Sequence, residues 1–140
     1  MALLWRKTLE TGVDWQDTQH KELFERINRL MDAMLARKGK EEIVNLIKFL
    51  DSYVVTHFGA EDQAMAKLQF PGRNAHIAEH KSFKEQVAGL KKEVEAGANL
   101  AIVIQTQQSA VDWLTNHIGV VDKELGNFIL QKTDPAKKSA

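Results

Sequence analysis

Apolar residues recur every three or four positions along four segments of the chain, and this periodicity indicates amphipathic helices. The stretches RKGK, QFPGRN and EAGAN separate the segments. The predicted helices cover about residues 17–37, 41–68, 73–95 and 101–131, with Asp14 or Asp17 as the N-cap of the first. No segment alternates with a period of two, so no sheet is expected. Because short loops connect the helices, we predict an all-α fold, an antiparallel up-down-up-down four-helix bundle in a single domain of residues 1–140, with an N-terminal arm.

The composition argues against several classes of function. Lys and Arg together number 19, as do Asp and Glu, so the chain has no net charge to attract nucleic acid. The apolar runs are too short to cross a bilayer and the first ten residues lack the pattern of a signal peptide, so we expect a cytoplasmic protein without membrane insertion. Cysteine is absent, which leaves His and carboxylates as the ligands of any transition metal.

All five histidines of the chain fall on the apolar faces of the predicted helices. They are His20, His57, His76, His80 and His117. A single buried histidine is more often a core residue than a ligand, but five need a common explanation because burying an unpaired imidazole is costly. Glu61 and Asp122 lie on or near the same faces, and no Lys or Arg accompanies them there. A bound metal ion would provide the missing positive charge.

The distances of these residues from the loops indicate that they share one level of the bundle. His20 and His57 stand 19 and 18 positions from the centre of the first loop, on opposite sides of it. His80 and His117 stand 18 and 19 positions from the third loop. Across the second loop, Glu61 and His80 differ by about two residues, or roughly 3 Å of helix. All four helices are therefore expected to contribute to one layer.

Spacing within the helices predicts an irregularity near the end of the fourth. Residues four apart differ by about 40° around a helix, so His57 with Glu61 can point at one site. Asp122 is five residues from His117, which is about 140° on a regular helix. A π-type turn would reduce that angle to about 50°. We therefore predict a π bulge between His117 and Asp122.

In chain order the candidate ligands read as His20, H-x3-E at 57 and 61, H-x3-H at 76 and 80, and H-x4-D at 117 and 122. Together with HFGAED and WLTNHIGVVD, this series resembles the hemerythrin family, specifically its single-domain bacteriohemerythrins, over nearly the whole chain. A lone H-x3-H would be a weak signal, whereas seven ligands in order on four helices are a specific one.

The resemblance implies reversible dioxygen binding at a non-haem di-iron centre, for oxygen transport, storage or delivery. Its cofactor would be two iron ions (Fe2+/Fe3+) joined by an oxo or hydroxo bridge. By that likeness His76, His80 and His117 hold one iron. His20 and His57 hold the other, and Glu61 and Asp122 bridge the two. With two carboxylate oxygens and the bridging oxygen on each ion, the iron with three imidazoles would have six ligands, and the iron with two imidazoles would have one open position.

The open position is expected to need an apolar wall that excludes water and anions. The candidate wall residues are Phe24, Phe58, Trp113, Leu114 and Ile118. Five imidazoles outnumber two carboxylates, which favours oxygen binding over oxygen-splitting catalysis. We therefore expect a protein that is not an enzyme, with dioxygen as its ligand.

Two other classes of function stay open from the sequence. One is an oxygen or redox sensor that acts through a partner, and the other is a di-iron peroxidase or ferroxidase. The enzyme would need a polar proton donor near the open iron, and the sequence identifies none. The expected oligomeric state is a monomer, with a protein partner that receives oxygen. The same ligands would also bind zinc or manganese in vitro.

Overall fold

Four helical rods run antiparallel through the computed structural model, which describes residues 3–133. The elements are α1 (Asp14–Leu35), α2 (Lys40–Leu68), α3 (Arg73–Glu95), α4 (Leu100–Asn116), a π-helical turn (His117–Asp122) and α5 (Lys123–Thr133). The last three elements form one rod. α1 packs on α2, α2 on α3, α3 on α4 and α4 on α1, which closes the bundle. No strand occurs within residues 3–133, and the predicted all-α four-helix bundle is confirmed.

The start of α1 differs from the sequence-based expectation. The helix begins three residues earlier than predicted, and Val13 takes the N-cap position without a side-chain hydrogen bond. The Asp17 carboxylate instead accepts hydrogen bonds from the backbone N–H groups of Thr11 and Gly12, at 2.8 and 3.2 Å. The prediction that Asp14 or Asp17 caps this helix is therefore wrong. Asp17 fastens the N-terminal arm to the bundle.

The N-terminal arm, residues 3–13 of the described chain, lies along the bundle and is fixed near both of its ends. Asn28 exchanges two hydrogen bonds with the backbone of Leu3, at 2.6 and 3.0 Å. Further along, the arm passes so close to α5 that a Cβ added at Gly126 would lie 2.7 Å from the Cβ of Thr11. Residues 1–2 and 134–140 of the predicted domain lie outside the described part of the chain.

The buried apolar side chains form two separate clusters. The larger one fills the bundle with residues from Leu9 to Ile118, and the smaller one consists of Val13, Met65, Leu125 and Ile129 near the opposite end. The layer predicted to hold the ligands lies between the two clusters along the first, second and fourth rods. Within the described residues, no helix combines the length and apolar character that crossing a bilayer requires.

Candidate metal centre

The structure brings the seven side chains singled out in the sequence into one buried layer. They are His20, His57, Glu61, His76, His80, His117 and Asp122. Each of the seven residues is at most 4% exposed to solvent. The four rods contribute one, two, two and two of them, so the layer forms only when all four rods are packed.

Helix geometry points the side chains of each rod inward. His57 and Glu61 lie one turn apart on α2, and His76 and His80 lie one turn apart on α3. On the fourth rod, residues His117–Asp122 form a π-helical turn, and both end residues are buried. The predicted π bulge is confirmed. Without it, the Asp122 carboxylate would point away from the face that carries His117.

The two carboxylates lie between two sets of histidines, and each turns one oxygen toward each set. Glu61 Oε1 lies 3.0 Å from His80 Nε2 and 3.5 Å from His76 Nε2, whereas Glu61 Oε2 lies 3.5 Å from His57 Nε2. Asp122 Oδ1 lies 3.0 and 3.1 Å from the Nε2 atoms of His76 and His117. Asp122 Oδ2 lies 3.0 Å from His20 Nε2.

The ligand atoms therefore form two groups that share both carboxylates. The three-histidine end combines His76, His80 and His117 with Glu61 and Asp122, and the two-histidine end combines His20 and His57 with the same carboxylates. Within each group, all the ligand atoms lie within 4.8 Å of one another, a separation that a single cation can span. Two neighbouring cations could each take one oxygen from each carboxylate.

The unpaired polar atoms of this layer fit a bound cation. All five histidine Nε2 atoms, Glu61 Oε1 and both Asp122 oxygens are buried and make no well-directed hydrogen bond with any described residue. Such groups are rare in a folded protein because an unsatisfied buried donor or acceptor costs roughly 1–3 kcal/mol. Imidazole nitrogens and carboxylate oxygens are ligands of first-row transition metals. The donor set therefore fits a metal cofactor.

The pKa values of the histidines indicate how the metal-free layer balances its charge. Burial opposes protonation of His20 and His76, but the carboxylates of Asp122 and Glu61 outweigh it and raise the pKa of each histidine to about 9. Burial lowers the pKa of His57 to about 4, since Glu61 compensates only in part. Protons on His20 and His76 thus neutralise the carboxylates when no cation is present. A metal ion must displace those protons in order to bind.

The pKa values of the two carboxyl groups shift in the opposite sense. Burial by itself would raise them, but the surrounding histidines lower the pKa of Asp122 and the pKa of Glu61 well below the ordinary range. Among the described residues, the basic side chains within 4 Å of these carboxylates are all histidines. The carboxylates therefore stay ionised at neutral pH, as metal ligands must.

Three polar side chains outside the layer contact it, and none of them is among the predicted site residues. Gln19 Oε1 lies 2.6 Å from His57 Nδ1, and Glu79 Oε1 lies 3.0 Å from His117 Nδ1. In each pair the acceptor fixes the ring so that Nε2 faces inward. Buried Gln16 donates a 2.7 Å hydrogen bond from Nε2 to Glu61 Oε2.

The five residues predicted to form an apolar wall fall into different surroundings. Phe58 stacks on the His80 ring at a centroid distance of 3.7 Å, and Trp113 stacks on the His117 ring at 4.8 Å. Both therefore pack against ligands of the three-histidine end. Phe24 contacts Trp5 of the arm, whose ring centroid is 6.3 Å from that of His20. Trp5 at the two-histidine end was not among the predicted wall residues.

The remaining two wall candidates, Leu114 and Ile118, are at most 1% exposed and belong to the larger apolar cluster. Leu114 lies one helical turn before Ile118, on the rod that also carries His117. Both side chains therefore contribute to the dry interior next to the ligand layer.

A four-helix bundle that encloses a layer of histidines and carboxylates defines a class of metal-binding bundle proteins. Residues 11–129 match the family model described as the hemerythrin HHE cation binding domain. The chain belongs to the hemerythrin family.

Individual relatives agree with that assignment. The chain is 37% identical to a bacteriohemerythrin of Methylococcus capsulatus over 128 residues, which are 90% of this chain and 96% of the relative. It is 33% identical to a bacteriohemerythrin of Pseudomonas aeruginosa over 118 residues, covering 83% of this chain and 74% of that one. A crystal structure of wild-type hemerythrin superposes with a TM-score of 0.80 at 34% identity, covering 92% of this chain and 98% of the other.

Proposed function

We propose that the chain binds dioxygen reversibly at a pair of iron ions, for oxygen transport, storage or delivery. The observation that carries the proposal is the pair of ligand groups that share Glu61 and Asp122 but hold unequal numbers of histidines. His76, His80 and His117 would hold one ion, and His20 and His57 would hold the other. Membership of the hemerythrin family supports this assignment.

Because the two ends have unequal numbers of histidines, they would have different roles in oxygen binding. When bound, two ferrous ions would together supply the two electrons that dioxygen takes up on binding and returns on release. Glu61 and Asp122 belong to both ligand groups and would each contribute to holding both ions. With one imidazole fewer, the two-histidine end would leave a coordination position for an external ligand.

The surroundings of the two-histidine end support binding rather than turnover. The polar side chains that contact this end from outside, Gln16 and Gln19, are neutral amides and cannot donate a proton as acids. Leu114 and Ile118 contribute to the apolar interior beside the layer, and apolar walls exclude the water and anions that promote oxidation of the metals. A peroxidase or ferroxidase would need an acid or a polar entry path at this end.

The proposal is tested by loading the purified protein with ferrous iron under anaerobic conditions and then admitting dioxygen. We expect two iron ions per chain and a visible charge-transfer band that appears with dioxygen and disappears when it is removed. Protein loaded with zinc, which has no accessible redox change, is the matched control and should show no band. Immediate conversion to a stable ferric form, with consumption of an added reducing substrate, would instead support an enzyme.

The ligand assignment is tested separately with the His57→Ala variant. This change should remove one of two imidazoles at the two-histidine end and leave the three-histidine end intact. We expect reduced iron content and no reversible oxygen band in the variant. Two tightly held iron ions with unchanged oxygen binding would contradict the assignment of His57.

A further inference from the structure

The site residues of the two halves of the bundle correspond at an offset of 60 positions. His20 on α1 corresponds to His80 on α3, and His57 on α2 corresponds to His117 on the fourth rod. Each half thus places one of these corresponding histidines on its first helix and one on its second. The two metal-binding ends are built by equivalent helix pairs.

The outer hydrogen-bond acceptors follow the same offset. Gln19, which contacts His57 Nδ1, corresponds to Glu79, which contacts His117 Nδ1. In both halves the acceptor directly precedes a ligand histidine and contacts the ring that lies 38 positions later. The correspondence therefore extends from the ligands to the side chains that orient them.

The carboxylates follow the offset with one extra residue. Glu61 and Asp122 differ by 61 positions, and the π-helical turn between His117 and Asp122 accommodates the additional residue. A regular turn separates His57 from Glu61 in the first half. The π turn thus restores the correspondence that the sequence spacing alone would break.

At one pair of corresponding positions, the two halves carry side chains of different chemistry. The counterpart of His76, one turn before His80, is Gln16, one turn before His20. His76 Nε2 lies 3.0 Å from Asp122 Oδ1, and Gln16 Nε2 lies 2.7 Å from Glu61 Oε2. Both side chains are buried and reach the carboxylate of the adjacent rod in the same half. The halves therefore differ by an imidazole in one and an amide in the other.

We propose that Gln16 is the residue that keeps a coordination position free at the two-histidine end, an inference that rests on the proposed function. Gln16 presents its amide nitrogen to Glu61, and that nitrogen carries two donor hydrogens and has no lone pair for a metal. The Gln16 amide oxygen lies beside Gly126, at 3.2 Å from the position of an added Cβ. The hydrogen bond from the amide nitrogen holds the Glu61 oxygen that faces this end. A histidine at position 16 would complete three imidazoles at both ends. The identity of residue 16 thus determines whether an external ligand has a place to bind.

The test is the Gln16→His variant loaded with cobalt(II), whose visible spectrum reports coordination number, and titrated with azide as the external ligand. The wild-type protein should bind azide at one position per metal pair. We expect the variant to hold two cobalt ions and to bind azide at least tenfold more weakly, with a weaker visible band that indicates six ligands. Gln105→His makes the same change at an exposed position of α4 and is the matched control, so it should bind azide as the wild type does.

The reciprocal His76→Gln variant keeps the inference testable if Gln16→His does not fold. It should retain helical circular dichroism and two cobalt ions, and it should gain a second azide position. A Gln16→His protein that binds both metals and azide with wild-type affinity would overturn the inference. So would a folded, two-cobalt His76→Gln protein with a single azide position. Because cobalt and azide report coordination alone, failure of the iron protein to bind dioxygen would be a separate result.

Discussion

Removing the metal should make the stability of this protein strongly dependent on pH between 6.5 and 9.5. In the metal-free layer the pKa values of His20 and His76 are raised to about 9 from an ordinary value of 6.5. The folded protein therefore binds more protons than the unfolded chain in this interval. A raised pKa contributes stability that is fully present below pH 6.5 and is lost as the pH rises through about 9.

The size of the effect follows from the two pKa values. At about 1.4 kcal/mol per pH unit, the difference between 6.5 and about 9 corresponds to about 3 kcal/mol for one histidine. The contributions of His20 and His76 together approach about 6 kcal/mol, and the raised pKa of His117 acts in the same direction. A typical domain has a total stability of about 5–15 kcal/mol. Metal-free protein at pH 9.5 should thus be close to unfolding.

The assay is urea denaturation of chelator-treated protein at several pH values, followed by circular dichroism, beside protein preloaded with zinc. The loaded protein should not lose stability in this interval, because the metal has already replaced the protons. The double variant Glu61→Gln, Asp122→Asn lacks the charges that raise the histidine pKa values, so its metal-free form should lose the dependence. An unfolding free energy of metal-free wild type that stays constant or rises between pH 6.5 and 9.5 would refute the reasoning.

Three further predictions concern residues around the metal layer. Glu79→Gln should weaken metal binding by roughly tenfold in a chelator competition, because a neutral acceptor makes the histidine that residue 79 orients a poorer donor to the metal. An unchanged metal affinity would count against this role of the Glu79 contact. Gly126→Ala should destabilise the protein by roughly 1–3 kcal/mol in urea, because the new Cβ would lie 2.7 Å from Thr11 Cβ. Gly59→Ala, with nothing within 4 Å of its Cβ, is the control and should be neutral or stabilising. Leu125→Ala should cost roughly 2–5 kcal/mol by leaving a cavity in the smaller apolar cluster, with two metals still bound.

The fold and the ligand layer were predictable because they depend on local helix geometry. Apolar periodicity predicts the four helices. Nearly equal distances from the loops predict that His20 lies level with His57 and that His80 lies level with His117. The five-residue spacing before Asp122 predicted the π turn that the structure contains. Each of these steps uses only the rise and rotation per residue, which vary little between proteins.

The 60-position correspondence was also present in the sequence and would have directed attention to Gln16 through its counterpart His76. The correspondence is visible when the sequences of the two helix pairs are compared, since Gln16 is not ionisable and carries no ligand signal of its own. A neutral amide in the place of a ligand becomes informative only through that comparison.

The contacts around the layer were decided by the tertiary structure. Gln19 and Glu79 each contact a ring 38 positions away, and such a contact depends on the rotation of two helices against each other. The same holds for Trp5, which approaches His20 only because the arm folds back along α1. Asp17 binds the arm rather than capping its helix, since the path of the preceding residues determines which N–H groups it can reach. Periodicity determines which face of a helix is buried, whereas packing determines what each side chain meets there.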